Sequence, residues 1–300
     1  MNTTVAHREA PHKDVAAQQV RRGEPTAPQW NRDNHDHKAK HLVYQLGDKM
    51  SGGGRVAVVS GGAAGIGLSI AERLAKDGFA VAILTRTEGA AEKAAAGIEE
   101  TGGIARGYQA DVSDRDQVDA ALAAIRADLG PLSVIVANAA VAPQQPFLEM
   151  TLEQWNQILT INLTGTFNLV QAGLPDLLDA GAGRVVLISS SSAQRGAPRM
   201  AHYAASKGGQ LALTKALAVE FAKSGVTVNT VVPSSIDTPS VEKKRAAGTM
   251  PSVEDMSKYI PVGRMGTGAD IAAAVSYLAS DDASYVTGQT ISVNGGSFIA

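Results

Sequence analysis

"RVAVVSGGAAGIGLSIAERLAKDG", residues 55–78, reads as a strand, a glycine-rich turn and a helix in direct succession. "RVAVVS" (55–60) is a short β-branched run of the kind buried inside a sheet. "IGLSIAERLAKDG" continues with helical spacing and stops at Gly78, a helix C-terminal signal. Between them, Gly61, Gly65 and Gly67 of "SGGAAGIG" permit a tight turn and close approach of a pyrophosphate to backbone N–H groups. The helix N-terminus adds partial positive charge for such an anion. The spacing is G-x-x-x-G-x-G rather than the G-x-G-x-x-G dinucleotide fingerprint, so a purely structural turn stays open as the alternative.

The same alternation runs on from there. Strands are expected at 80–85, 107–112, 132–140, 183–191, 226–232 and 288–296. Helices are expected between them, the longest over about 151–180 and 201–224. Continuous apolar strands separated by helices predict a single α/β domain: a Rossmann-type, doubly wound parallel sheet of about seven strands with helices on both faces. In such sheets ligands bind beyond the carboxyl ends of the strands, where the glycine turn lies.

Residues 1–49 differ in kind. They lack apolar periodicity, mix both charges and hold three prolines and five of the six histidines. They are expected to form a disordered or loosely attached extension, with His35, His37 and His41 part of a solvated tail rather than metal ligands. The body from Met50 to Ala300 is about 250 residues, a common size for one α/β domain. "MSGGGRVAVVSGG" also reads as a natural start, which would make the extension an upstream start-site addition with no catalytic part.

Composition narrows the function. Formal net charge is −2, which gives no electrostatic case for nucleic acid or an anionic membrane as partner. No cysteine is present, so disulfides and thiolate metal sites are excluded, in keeping with a reducing cytoplasm. No apolar run reaches the roughly 18 residues of a membrane span. No metal site is expected.

"HYAASKGGQLALTKALAVEFAKSG" (202–225) carries Tyr203 and Lys207 one helical turn apart on one face. A nearby ammonium favours the phenolate, so Lys207 is expected to lower the tyrosine's pKa and make it a proton donor useful near neutral pH. On spacing alone an exposed tyrosine and a surface lysine serve as well. Gly208 and Gly209 weaken the helix and are expected to admit another backbone or a cofactor.

Taken together these segments resemble the classical short-chain dehydrogenase/reductase family over essentially residues 50–300. "YAASK" is the Y-x-x-x-K signature, and Ser190 precedes Tyr203 by the family's Ser–Tyr spacing. The glycine turn matches, with Ser60 where Thr is more usual. "ANAA" (137–140) resembles the N-A-G segment, with Asn138 kept and Ala140 in place of Gly. Asn162 in "TINLTGTF" matches the catalytic Asn. "VNTVVPSSIDT" (228–238) resembles N-x-x-x-P-G-x-x-x-T, with Ser234 where Gly is usual, a change that raises a question about the local φ. "GQTISVNGG" resembles the C-terminal strand and turn.

The resemblance implies hydride transfer between a nicotinamide dinucleotide and a carbonyl or secondary alcohol. Tyr203 would be the general acid or base, Lys207 its tuning charge and a ribose contact, and Ser190 the hydrogen-bond partner of the substrate oxygen. Asn162 would hold a water linking Lys207 to solvent. Among the neighbouring serines 189, 191 and 192, a shift of one residue from Ser190 is left open. Cofactor contacts implied are Ser60, Gly61, Gly65, Ile66, Gly67, Thr85, Arg86, Asp111, Val112, Asn138, Tyr203, Lys207, Ile236 and Thr238. At the end of the second strand, where an acidic residue would select NAD, stand Thr85 and Arg86. A guanidinium suits a 2′-phosphate, so NADP(H) is favoured and NAD(H) is the alternative.

The expected function is therefore a ketoreductase of the 3-oxoacyl reductase kind. The alternatives are an NAD-dependent alcohol or hydroxysteroid dehydrogenase of the same fold, and a non-catalytic dinucleotide-binding regulator. "PSVEKKRAAGTMPSVEDMSKYIP" (239–261) stands where the family varies with substrate. Lys243, Lys244 and Arg245 would there meet an anionic carrier or form a solvated helix face. Arg195 and Arg199 border the entrance in relatives. A homodimer or homotetramer is implied, paired through the two long helices and the last strands.

Overall fold

The computed structural model describes residues 54–299; the N-terminal extension and its histidines lie outside the described residues. The first half alternates β1 (Val56–Ser60), α1 (Gly65–Lys76), β2 (Ala80–Thr85), α2 (Ala90–Glu100), β3 (Ile104–Gln109), α3 (Arg115–Asp128) and β4 (Leu132–Ala137). Then come α4 (Leu152–Leu159), α5 (Gly165–Asp179), β5 (Gly183–Ile188), the short α6 (Ser192–Arg195), α7 (Ala201–Phe221) and β6 (Val226–Pro233). The chain ends with β7 (Ile236–Asp237), α8 (Pro239–Ala246), α9 (Val253–Ser257), β8 (Gly266–Thr267), α10 (Gly268–Ala279) and β9 (Thr290–Val293).

Seven strands form one parallel sheet in the order β3-β2-β1-β4-β5-β6-β9. The order reverses between β1 and β4, which opens a crevice at their carboxyl ends. Because side chains alternate across a strand, β1 feeds two cores. Ala57 and Val59 pack with Ile70 and Leu74 of α1 and Ile271 and Val275 of α10. Val56 and Val58 pack with Leu122 and Ile125 of α3 and Leu169 and Leu177 of α5. Each fully buried Val, Leu or Ile side chain contributes roughly 1.5–3 kcal/mol, which is why the strands read as unbroken apolar runs.

Several expected ends move. The third strand is Ile104–Gln109 rather than 107–112, because the Asp111 carboxylate accepts from the Ser113 N–H and turns the chain. The strands expected to run to residues 140 and 191 stop at Ala137 and Ile188, and the last is four residues long. The helix expected over 151–180 is interrupted by a π-helical turn at Thr160–Thr164. The helix expected over 201–224 ends as α-helix at Phe221, followed by a 3₁₀ turn. A small parallel pair, β7 with β8, lies outside the main sheet.

Candidate active site

The glycine turn leaves β1 beside β4. Gly61 and Gly65 hold φ values of 64° and 54°, a left-handed conformation that favours glycine. A Cβ on Gly67 would lie 2.1 Å from the Gly61 carbonyl oxygen, so only glycine lets α1 start this close to the turn. The N-cap of α1 is Ala64, which has no side chain to cap the helix, and no acidic residue stands in the first turn. The first N–H groups of α1 are thus free for an anion, as a pyrophosphate requires.

Two of the expected contact residues brace this turn from behind. The Ser60 hydroxyl accepts from the N–H groups of Asn138 (3.0 Å) and Ala139 (3.1 Å), and the Asn138 amide donates to the Ser60 and Gly61 carbonyls. An open cleft of ≈ 570 Å³ lies in front, lined by Gly61, Thr85, Arg86, Asp111 and Val112 of the expected set. Ala139, Ala140, Val141 and Ile161 complete its wall. They were missed because small apolar residues carry no chemical signature; the family's N-A-G segment pointed to their neighbourhood through Asn138 alone.

Arg86 is half exposed, 3.8 Å from the Asp111 carboxylate. Burial raises the Asp111 pKa, but the hydrogen bonds from Ser113 and the Arg86 charge outweigh it and hold the group below its ordinary value. Thr238 caps α8 and stands over the glycine turn, its Cβ 3.7 Å from where a Gly65 Cβ would be. Ile66 and Ile236 belong to the core against α1, Ile236 buried and Ile66 partly so. Ser234 does not take a positive φ; its hydroxyl is buried without a hydrogen-bond partner among the described residues.

The four expected catalytic residues stand just after β5, in the π turn and on α7. Of the serines, Ser189 turns inward and donates to the Lys207 carbonyl (2.9 Å), whereas Ser190 is the one whose hydroxyl meets the Tyr203 phenol. Lys207 is buried, its Nζ 5.9 Å from the centre of the Tyr203 ring. It donates to the Ile188 carbonyl (2.7 Å) and to Oε1 of Gln210 (3.2 Å). Burial pushes the Lys207 ammonium down to about 7. It also pushes the Tyr203 phenol up, with the Ser190 hydrogen bond pulling the other way. The lowering of Tyr203 by Lys207 expected from the sequence is therefore not what governs this arrangement: desolvation dominates both groups.

Asn162 sits in the π turn with no exposure. Its side chain accepts from the Val141 N–H and donates to the Val141 carbonyl and the Ser206 hydroxyl. Its carbonyl accepts from the Thr166 hydroxyl (2.8 Å) and from Nε2 of Gln210 (3.0 Å). Gly209 explains one of the helix-weakening glycines, since a Cβ there would lie 2.7 Å from the Leu163 side chain of the π turn. A Cβ on Gly208 would meet nothing within 4 Å, so packing does not demand that glycine. Gln210 was missed by sequence reading. The signal was available: Tyr203, Lys207, Gln210 and Thr214 form a polar stripe at helical spacing on a face that would otherwise be apolar.

Arg245, expected with its lysine neighbours on a solvated face, instead turns inward and donates to Asp237 of β7 (2.8 Å). Lys243 and Lys244 remain exposed, as do Arg195 and Arg199.

Residues 61–297 match the family described as enoyl-(acyl carrier protein) reductase. An acetoacetyl-CoA reductase of Rhizobium meliloti is 42% identical over 246 residues, covering 82% of this chain and 99% of that protein. A 3-oxoacyl-(acyl-carrier-protein) reductase of Staphylococcus aureus is 39% identical over 246 residues, covering 81% and 98%. Among solved structures, a variant of actinorhodin polyketide ketoreductase with NADPH superposes with a TM-score of 0.77 at 34% identity, over 81% of this chain and 96% of that one.

Proposed function

The chain belongs to the short-chain dehydrogenase/reductase family, and from that premise we propose that it is an NADP(H)-dependent ketoreductase acting on 3-oxoacyl-type carbonyl substrates. The observation that carries this reading is the meeting of Ser190, Tyr203 and Lys207, together with a cleft at Gly61 whose wall residue Val141 is hydrogen-bonded to Asn162. The free N–H groups at the start of α1 suit a pyrophosphate, and Arg86 suits a 2′-phosphate. When bound, the nicotinamide supplies the hydride.

The residues of this chain do the rest. Ser190 donates a hydrogen bond to the substrate carbonyl oxygen and stabilises the negative charge that grows there. Tyr203 gives its proton to that oxygen as the carbonyl carbon is reduced. Burial keeps the phenol in its protonated form at neutral pH, the form that holds a proton to give. Lys207 holds a cationic or polar donor beneath the ring. Asn162 fixes the π turn against Val141 and α7.

Thr85 and Arg86 weigh against the NAD-dependent dehydrogenase reading, because nothing acidic at the end of β2 would grip a 2′-hydroxyl. Residues 50–300 form the catalytic domain in this reading, with 1–49 dispensable. Phe147, Leu148 and Leu152 near α4, Phe167 on α5 and Val219 on α7 are exposed apolar groups that suit burial in a homodimer or homotetramer. Among the described residues no helix is long and apolar enough to cross a membrane. A cytoplasmic location accords with the cysteine-free chain.

The test is a panel of β-keto thioesters, small ketones and secondary alcohols followed by nicotinamide absorbance. NADPH and NADH are run side by side, on the full chain and on a chain beginning at Met50. Turnover of β-keto thioesters with NADPH, equal in both chains, is expected. Turnover only of alcohols with NAD, or none at all, would overturn the reading.

A further inference from the structure

We propose that Gln210 is the positioning residue of Lys207, its carboxamide spanning from the lysine ammonium to the Asn162 carbonyl. The inference rests on the proton-transfer reading above and adds a residue that neither the signature motif nor the resemblance singles out.

The hydrogen-bonding capacities leave one arrangement. A backbone carbonyl only accepts and an ammonium only donates. The amide of Gln210 lies between the two, so Nε2 must face Asn162 and Oε1 must face Lys207. The second Nε2 hydrogen goes to the Thr166 hydroxyl (2.7 Å), whose own hydrogen goes to the Asn162 carbonyl. That carbonyl thus accepts from both Thr166 and Gln210. Gln210 has no exposure, and its amide donors and its oxygen all find partners, as a buried polar group must to avoid a penalty.

Lys207 gains a fixed position from this. Two of its three N–H bonds point to Ile188 and Gln210, which leaves one for a ligand on the Tyr203 side. The groups that face the ammonium are the Ile188 carbonyl of β5 and, on its own helix, the Gln210 amide and the Tyr203 phenol. Behind Gln210 lie the Asn162 carbonyl of the π turn and the Thr166 hydroxyl of α5. Of these only Tyr203 titrates, and no ion pair among the described residues includes Lys207. Oε1 of Gln210 is thus the side-chain acceptor that favours the charged lysine against its burial.

The experiment follows Nζ of Lys207 directly, by ¹⁵N NMR of lysine-labelled full-length protein titrated with pH, assigned by the spectrum of Lys207→Met. The kcat–pH profile with NADPH is measured alongside. In Gln210→Met the acceptor is lost, and the Nζ midpoint and the alkaline limb of kcat are expected to fall by about one pH unit. Gln210→Glu keeps an acceptor, so its midpoint stays at or above that of the parent. Gln210→Leu serves in place of the methionine variant if that variant fails to fold. An unmoved midpoint in the folded apolar variant overturns the proposal, as does a glutamate variant whose midpoint falls equally far. Failure of the underlying proton-transfer reading would look different: Tyr203→Phe would keep its turnover whatever Lys207 did.

Discussion

The face of α7 around Lys207 and the segment from Thr238 to Ile260 are built under opposite rules. On α7, Ser206, Lys207, Gln210 and Thr214 are buried to 2% exposure or less, and their polar groups bond to one another, to the π turn and to β5. By contrast, α8 and α9 contain no buried residue, and Val253 and Tyr259 are exposed. Buried polar networks tolerate little change, because one lost partner strands the others. An exposed segment held at a few points can vary at small cost. In the proposed reading the chemistry belongs to the first region and substrate choice to the second.

The strongest way to break that division is Tyr203→Phe, which removes the phenolic proton and keeps the ring. General acid–base catalysis contributes about 10²–10⁴-fold, so kcat should fall at least that far while NADPH binding, followed by fluorescence, persists. Retention of most turnover would make the α7 face structural only.

Much of the fold and of the local pairings was legible in the sequence, and the parts that were not share a cause. The strand–turn–helix of 55–78 could be read because β1 is buried on both faces and the turn needs glycine at 61, 65 and 67. Tyr203 and Lys207 could be paired because helix spacing is local. The choice of Ser190 over Ser189 required knowing which hydroxyl is consumed by the Lys207 carbonyl, a contact 18 residues away in sequence. Gln210 required the Asn162 carbonyl, 48 residues away, and a π turn that no periodicity announces. The inward turn of Arg245 depended on Asp237 coming within reach across the start of α8.

A second prediction tests what the buried side costs. Folded Lys207 titrates at about 7 and an ordinary lysine at 10.5. Between those values the unfolded chain holds the extra proton, so stability rises with pH across that window, by at most about 1.4 kcal/mol per pH unit for one proton. Lys207→Met removes that dependence while filling the space. Denaturant unfolding at pH 6.5 and 8.5 should find the variant more stable at the lower pH and its advantage reduced at the higher. Parallel profiles for the two proteins would mean that the buried ammonium is not strained.

A third prediction moves toward the exposed side. Arg86 is half exposed and shared with Asp111, so its contribution is that of one charge-assisted contact. Arg86→Ala should raise the KM for NADPH about tenfold and leave that for NADH nearly unchanged. A parent enzyme that already prefers NADH would overturn the assignment.

The smallest effect is expected at α8, and it sharpens the comparison most. Arg245 donates to Asp237 at 2.8 Å, with the carboxylate 40% exposed, and Thr238 caps the same helix. These are the polar anchors of α8 on β7, and the ion pair, being partly solvated, is worth no more than about 1 kcal/mol. Asp237→Asn keeps the shape and removes the charge. It should loosen α8 without touching Ser190, Tyr203 or Lys207. The KM for a bulky β-keto thioester should therefore rise about fivefold, the equivalent of that energy, while kcat and the KM for a small ketone stay level. Steady-state kinetics with the two substrates decides it. A fall in kcat for both would mean that the α8 anchor and the α7 network act as one unit, and that substrate choice cannot be altered at α8 without disturbing proton transfer at α7.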